Sequence, residues 1–238
     1  MNNDSGARAA AWTGGDVAVV AVVVAYGTIS AFVVPERWQA LTGTAAGAIA
    51  VALASAGGAS ATELGLRVDS AGDGLRVGLA AAAPVACAVA IASAPARTRH
   101  LFSDERATTP RGRDVAYHGL LRIPLNAFGE ELLFRSAVLG FMLHRHRPAR
   151  ALIASSAAFG IWHVIPALRS HDANPGVARL ANRAGGRITT AATTVVLTGL
   201  AGSAFAWLRL RSRSIVAPVV AHAAVNLAGF LAARRSTP

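Results

Sequence analysis

The sequence contains no lysine; all 23 of its basic side chains are arginine. Together with the heavy alanine content, that points to coding bias rather than to a function. One cysteine, Cys87, excludes intramolecular disulfides and cysteine-based zinc sites. It stands in an Ala/Val run and is expected to be a small packing residue. Charged residues make up only 15% of the chain and hydrophobic ones 53%, which excludes an ordinary soluble globule. No HExxH occurs, so a zinc site on a single helix is excluded. No internal repeat is evident, which removes the solenoids and argues against the repeat-built transporters. Gly202–Ser203 is not the GxS of a serine intramembrane site. The stretch "AGDG" (71–74) lies in a polar segment and has no partner aspartate in a span.

Apolar runs recur along almost all of the 238 residues. A bilayer crossing needs about 20 mainly apolar residues. By that criterion the chain is an all-α, polytopic transmembrane helical bundle of about seven spans. They fall at 16–34, 40–58, 76–95, 117–143, 149–168, 188–208 and 214–232. Residues 1–15 read as a polar N-terminal tail, 16–233 as the helical domain and 234–238 as a C-terminal tail. The first apolar run ends in "PERWQ" without a small-residue cleavage motif, so it reads as a retained span. Gly43 and Gly47 in the second span have the spacing that allows close helix approach. Residues 62–76 and 169–187 are expected to be polar loops. The net charge of +11 lies mostly in short connectors, where arginines meet lipid headgroups, so nucleic acid is not an expected partner. His118, His144, His146 and His171 lie at span ends or in loops, where solvation is the default.

Charges within spans are rare and usually mark a functional path. The fourth span holds Glu130, Glu131 and Arg135, the fifth His163, and the seventh His222 and Asn226. Residues four apart share a helix face. Asn126 and Glu130, Glu131 and Arg135, Phe159 and His163, and His222 and Asn226 are such pairs. Neighbouring residues point about 100° apart, so Glu130 and Glu131 are expected to have different partners. Arg135 falls to Glu131, and Glu130 is left without a local counter-charge. At 1.5 Å rise per residue, Glu130 and His163 lie about 20 Å from the "HRHRP" turn and His222 about 10–15 Å from "RLRSRS". Glu130, His163, His222 and Asn226 can therefore converge in one pocket. A carboxylate with a histidine can activate water, and a His/Asn face can donate hydrogen bonds to an oxyanion.

At these residues the sequence resembles the CPBP family, which comprises type II CAAX-processing endopeptidases and the bacteriocin-processing, Abi-type membrane proteins. "EELLFR" (130–135), "FGIWH" (159–163) and "HAAVN" (222–226) match its EExxxR, FxxxH and HxxxN/D motifs. "LGLR" and "SIVAPVVAHAAVN" resemble its flanking sequence, and the likeness covers about 62–230. One departure is Ser136, where a glycine often follows the arginine; it is small, and no functional consequence is expected. The resemblance implies an intramembrane endopeptidase of a bacterial cell membrane, acting on membrane-anchored, in some relatives lipidated, proteins or peptides. By position, Glu130 would be the general base assisted by His163. His222 and Asn226 would stabilise the oxyanion, Glu131 and Arg135 would be structural support, and Phe159 a pocket wall.

Relatives have been described both as metalloproteases and as metal-independent glutamate proteases. If a divalent metal such as zinc is used, Glu130, His163 and His222 would be its ligands. The expectation is metal-free chemistry, because no carboxylate is evident behind the histidines to orient them on a metal. Two rival readings belong to other classes: a membrane immunity or scaffold protein without turnover, and a proton-coupled transporter with Glu130 and the histidines as relay.

Overall fold

A computed structural model describes residues 14–102 and 116–236. The expected N-terminal tail and much of the charged connector before the fourth span lie outside the described residues. Within them the chain is helical, and no strand occurs. The main helices are α1 (Gly14–Phe32), α2 (Glu36–Ala56), α3 (Ala71–Ser93), α4 (117–145), α5 (Pro148–Trp162), α6 (Val164–Ala173), α7 (Arg187–Ser212) and α8 (Val216–Ser236). The last helix, α8, continues to Ser236.

Six stretches of described helix are long and apolar enough to cross a membrane: α1, α2, α3 with its preceding turn, α5 with α6, α7 and α8. Their outer faces carry exposed apolar side chains, such as Val24, Ile91 and Leu197. The protein is thus an integral membrane helical bundle. The expected fourth span, α4, falls outside that set because it carries Arg122, Glu130, Glu131, Arg135 and Arg145. Its second half is sheathed by protein instead of lipid: every residue from Leu132 to Phe141 is buried. A charged helix tolerates membrane depth when its neighbours, not hydrocarbon, surround the charges.

Local sequence explains how α4 is enclosed. The Gly43/Gly47 face of α2 crosses α4 at Gly129. A Cβ on Gly129 would lie 2.7 Å from the Thr44 nitrogen, and one on Gly47 would lie 2.6 Å from Leu132 Cβ. Only hydrogen fits at that crossing. Along α4, two π-helical segments, Tyr117–Arg122 and Leu132–Val138, alternate with the α-helical Ile123–Glu131 and Leu139–Arg145. Elsewhere α3 lies along α8 and α5 along α7.

Two expected loops are partly helical. Ser60 and Glu63 form a capping box that starts a short helix, Ala61–Leu64. The "AGDG" stretch then opens α3 itself. Asn174 caps Pro175–Ala181 through Val177 N–H, at 3.0 Å. Arg209, expected near headgroups, is buried and donates to the carbonyls of Thr62 (2.8 Å) and Glu63. Ser136, also buried, donates its hydroxyl to the Leu64 carbonyl at 2.7 Å. The departure from glycine thus ties α4 to that short helix. Cys87, expected to pack inside, faces outward. His171, expected at the interface, is buried with Nδ1 2.8 Å from the Thr190 hydroxyl, joining α6 to α7.

Candidate active site

His163 occupies the break between α5 and α6. The break follows from Pro166, which has no N–H for the Trp162 carbonyl four residues back and whose ring would collide with it. His163 N–H bonds the Gly160 carbonyl at 3.0 Å, which frees the Phe159 carbonyl from its usual helical partner. The imidazole takes that carbonyl, with Nδ1 2.7 Å away. A carbonyl only accepts, so Nδ1 carries the hydrogen there and Nε2 is left with its lone pair.

Glu130, Glu131 and His222 meet where α4 packs against α8. His222 Nδ1 lies 2.8 Å from Glu131 Oε1, and its Nε2 lies 3.8 Å from Glu130 Oε2. The two carboxylates therefore do share a partner, contrary to the expectation from their 100° separation. An imidazole has a nitrogen on each of two edges, so one ring inserted from α8 reaches both diverging side chains. Glu131 is fully buried and also faces Arg135 Nε at 3.3 Å. The Arg135 guanidinium, itself fully buried, sits 4.0 Å from the Phe159 ring centre and 5.4 Å from that of Phe205. With the Phe134 ring centre at 5.9 Å, three aromatic rings pack around the cation. Gly202 leaves the space: a Cβ there would lie 3.1 Å from Arg135 Nη2.

Glu130 differs from Glu131 in its exposure and bonding. Asn126 Nδ2 donates to Glu130 Oε1 at 2.7 Å. Oε2 has no hydrogen-bond partner among the described residues. Glu130 lines a cavity of about 1270 Å3 together with His163, Asn226, Asn126, Tyr26 and Trp162. Glu130, His163 and Asn226 thus share one cavity. His222 stands just behind Glu130 and is not part of the lining. Phe159, expected as a wall, is buried beneath the site, with ring centres 4.5 Å from His163 and 5.9 Å from His222.

Sequence reasoning assigned no role to Tyr26, Asn126 or Phe205. Tyr26 stacks on Trp162 at 5.9 Å and hydrogen-bonds the Gln39 carbonyl at 2.8 Å. Phe205 stacks on His222 at 4.9 Å. Only Asn126 left a signal, its four-residue offset from Glu130.

Among the described residues, no three His, Cys, Asp or Glu side chains are grouped to hold a metal ion. Contrary to expectation, a carboxylate does stand behind one of the histidines: Glu131 orients His222 through Nδ1 at 2.8 Å.

Residues 113–228 match the family model described as type II CAAX prenyl endopeptidase Rce1-like. No curated protein and no solved structure matches the chain.

Proposed function

We propose that this chain, whose residues 113–228 match the type II CAAX prenyl endopeptidase Rce1-like model, is an intramembrane protease that hydrolyses peptide bonds of membrane-anchored proteins or peptides by Glu130-activated water. The observation that carries this reading is the asymmetry of the glutamate pair. Glu131 is fully buried, hydrogen-bonded to His222 and ion-paired with Arg135, while Glu130 lines the large cavity with Oε1 held by Asn126 and Oε2 free of hydrogen bonds.

In this mechanism Glu130 Oε2 takes a proton from water as the oxygen attacks the substrate carbonyl carbon. His163, with its Nδ1 hydrogen committed to the Phe159 carbonyl, presents Nε2 to accept the second hydrogen of that water. The side-chain amide of Asn226 donates to the developing oxyanion. His222 lies one turn before Asn226 on the same face of α8. Its Nε2 edge stands 3.8 Å from Glu130 Oε2, where it can orient the carboxyl group once Oε2 has taken the proton and before that proton passes to the leaving amine. Anchored by Glu131, the ring cannot turn away. The apolar remainder of the cavity suits a substrate segment delivered from the bilayer. The same geometry supports metal-free chemistry, with every step assigned to a side chain.

The test compares wild type with Glu130→Gln on a library of membrane-anchored peptides in proteoliposomes. The expected loss is about 10²–10⁴-fold in kcat/KM, with thermal unfolding unchanged because glutamine retains an acceptor for Asn126. Equal cleavage by the two proteins would refute the general-base role and revive the scaffold or transporter readings. Wild-type activity is expected to survive chelation. Stoichiometric zinc, with activity lost to chelator and restored by metal, would replace the metal-free route.

A further inference from the structure

A second recess, of about 770 Å3, opens between the start of α3 and the end of α7 and shares no residue with the Glu130 cavity. Arg76, Arg211 and Arg213 stand around it, Val77, Ala81 and Leu208 form its floor, and Trp207, 57% exposed, forms one edge. The carboxylate of the group, Asp73, lies 3.4 Å from Arg76. No carboxylate is paired with Arg211 or Arg213 among the described residues.

Arg213 is also the one described non-glycine residue with a positive φ, 55°. The four other described positive-φ positions, Gly58, Gly65, Gly185 and Gly186, are all glycine. Arg213 ends α7 in the left-handed conformation, where glycine is the usual occupant because it has no Cβ to collide. The Ser70 hydroxyl, donating to the Arg213 carbonyl at 3.1 Å, fixes this turn beside α3. An arginine in a backbone state that disfavours it, beside a second unpaired arginine, indicates that its guanidinium serves something other than the turn.

We propose that this recess binds the phosphate headgroup of an anionic phospholipid, with an acyl chain laid over its apolar floor. Basic recesses at the ends of membrane helices are suited to such headgroups, and an exposed tryptophan to the bilayer interface. Val77, Ala81, Leu208 and Trp207 set apolar surface directly beside the arginines, so the site matches a headgroup joined to a chain better than a free anion.

The test uses the purified full-length chain in detergent micelles, titrated with phosphatidylglycerol, with phosphatidylcholine, or with glycerol phosphate. Bound lipid is read by native mass spectrometry and stabilisation by the unfolding midpoint. Saturable binding of phosphatidylglycerol is expected, with about a fivefold loss of affinity for each arginine removed. The informative variant is Arg213→Gly, since glycine suits the backbone there. Its unfolding midpoint without lipid should equal or exceed that of wild type, while phosphatidylglycerol binding falls; Arg211→Gln should show the same fall. Phosphatidylglycerol binding unchanged in both variants would overturn the proposal, as would equal stabilisation by phosphatidylcholine. Equal stabilisation by glycerol phosphate alone would overturn the lipid assignment. Peptide cleavage enters none of these readouts, so the outcome is independent of the proposed protease chemistry.

Discussion

Glu131→Gln isolates the buried centre of the molecule. The wild-type carboxylate meets two donors, His222 Nδ1 at 2.8 Å on Oε1 and Arg135 Nε at 3.3 Å on Oε2. Glutamine keeps the shape but has one acceptor oxygen and one NH2. With the oxygen toward Arg135, the NH2 meets His222 Nδ1, which must switch tautomer to accept from it, and in either orientation Arg135 loses its ion-pair partner while fully buried. Removing one member of a buried pair costs about 3–5 kcal/mol. The Phe159 and Phe205 rings around the guanidinium remain, and contacts of that kind contribute up to about 2 kcal/mol, so the lower half of that range is expected. For a chain of this size, about 3 kcal/mol corresponds to a fall of about 6–12 °C in unfolding midpoint. Activity should fall as well, by more than the folded fraction explains, because His222 loses the group that orients it beside Glu130. The assay is thermal unfolding in detergent together with cleavage per folded molecule. The double variant Glu131→Gln/Arg135→Met removes the stranded cation and should recover part of the midpoint, giving a coupling energy of about 1–3 kcal/mol. A single variant within 1 kcal/mol of wild type, or a double variant showing simple additivity, would refute this account of the pair.

Asn126→Leu removes the donor that fixes Glu130 Oε1, and kcat should fall about tenfold with unfolding little changed; an unaltered kcat would deny the positioning role. Gly129→Ala places a methyl against the α2 backbone, and the unfolding free energy should drop by about 1–3 kcal/mol; a neutral result would mean that the crossing can open. Arg209→Met strips the Thr62 and Glu63 carbonyls of their donor, and the midpoint should fall by about 2–6 °C at unchanged kcat. Ser136→Gly removes one buried hydrogen bond to Leu64, an expected loss of about 1 kcal/mol by the same assay.

The bundle was legible because membrane helices announce themselves by length and apolarity, and the convergence of α4, α5 and α8 followed from residue spacing on each helix. What stayed hidden depends on contacts between helices. A 100° turn between Glu130 and Glu131 is a true statement about one helix, and it excludes a shared partner only if that partner approaches from one direction. The His222 ring enters edge-on from α8 and offers a nitrogen to each carboxylate, which no spacing within α4 could reveal. Arg209 was misread for the same kind of reason. Its place in a basic connector suggested headgroups, but its role is set by free carbonyls near Gly65, 144 residues earlier in the chain. Local signals were present for the misassigned loops, in the Ser60/Glu63 capping box and the Asn174-Pro175 start, and were masked by surrounding polar residues. The same holds for the Glu130–Glu131 pair. Sequence could separate the two glutamates by their neighbours on α4, yet the separation that matters chemically comes from the fold: α8 and Arg135 enclose Glu131 completely, while Glu130, held by Asn126 through one oxygen, lines the cavity. A variant that moves His222 alone should therefore disturb both glutamates at once, stability through Glu131 and turnover through Glu130, whereas Glu130→Gln should disturb turnover only.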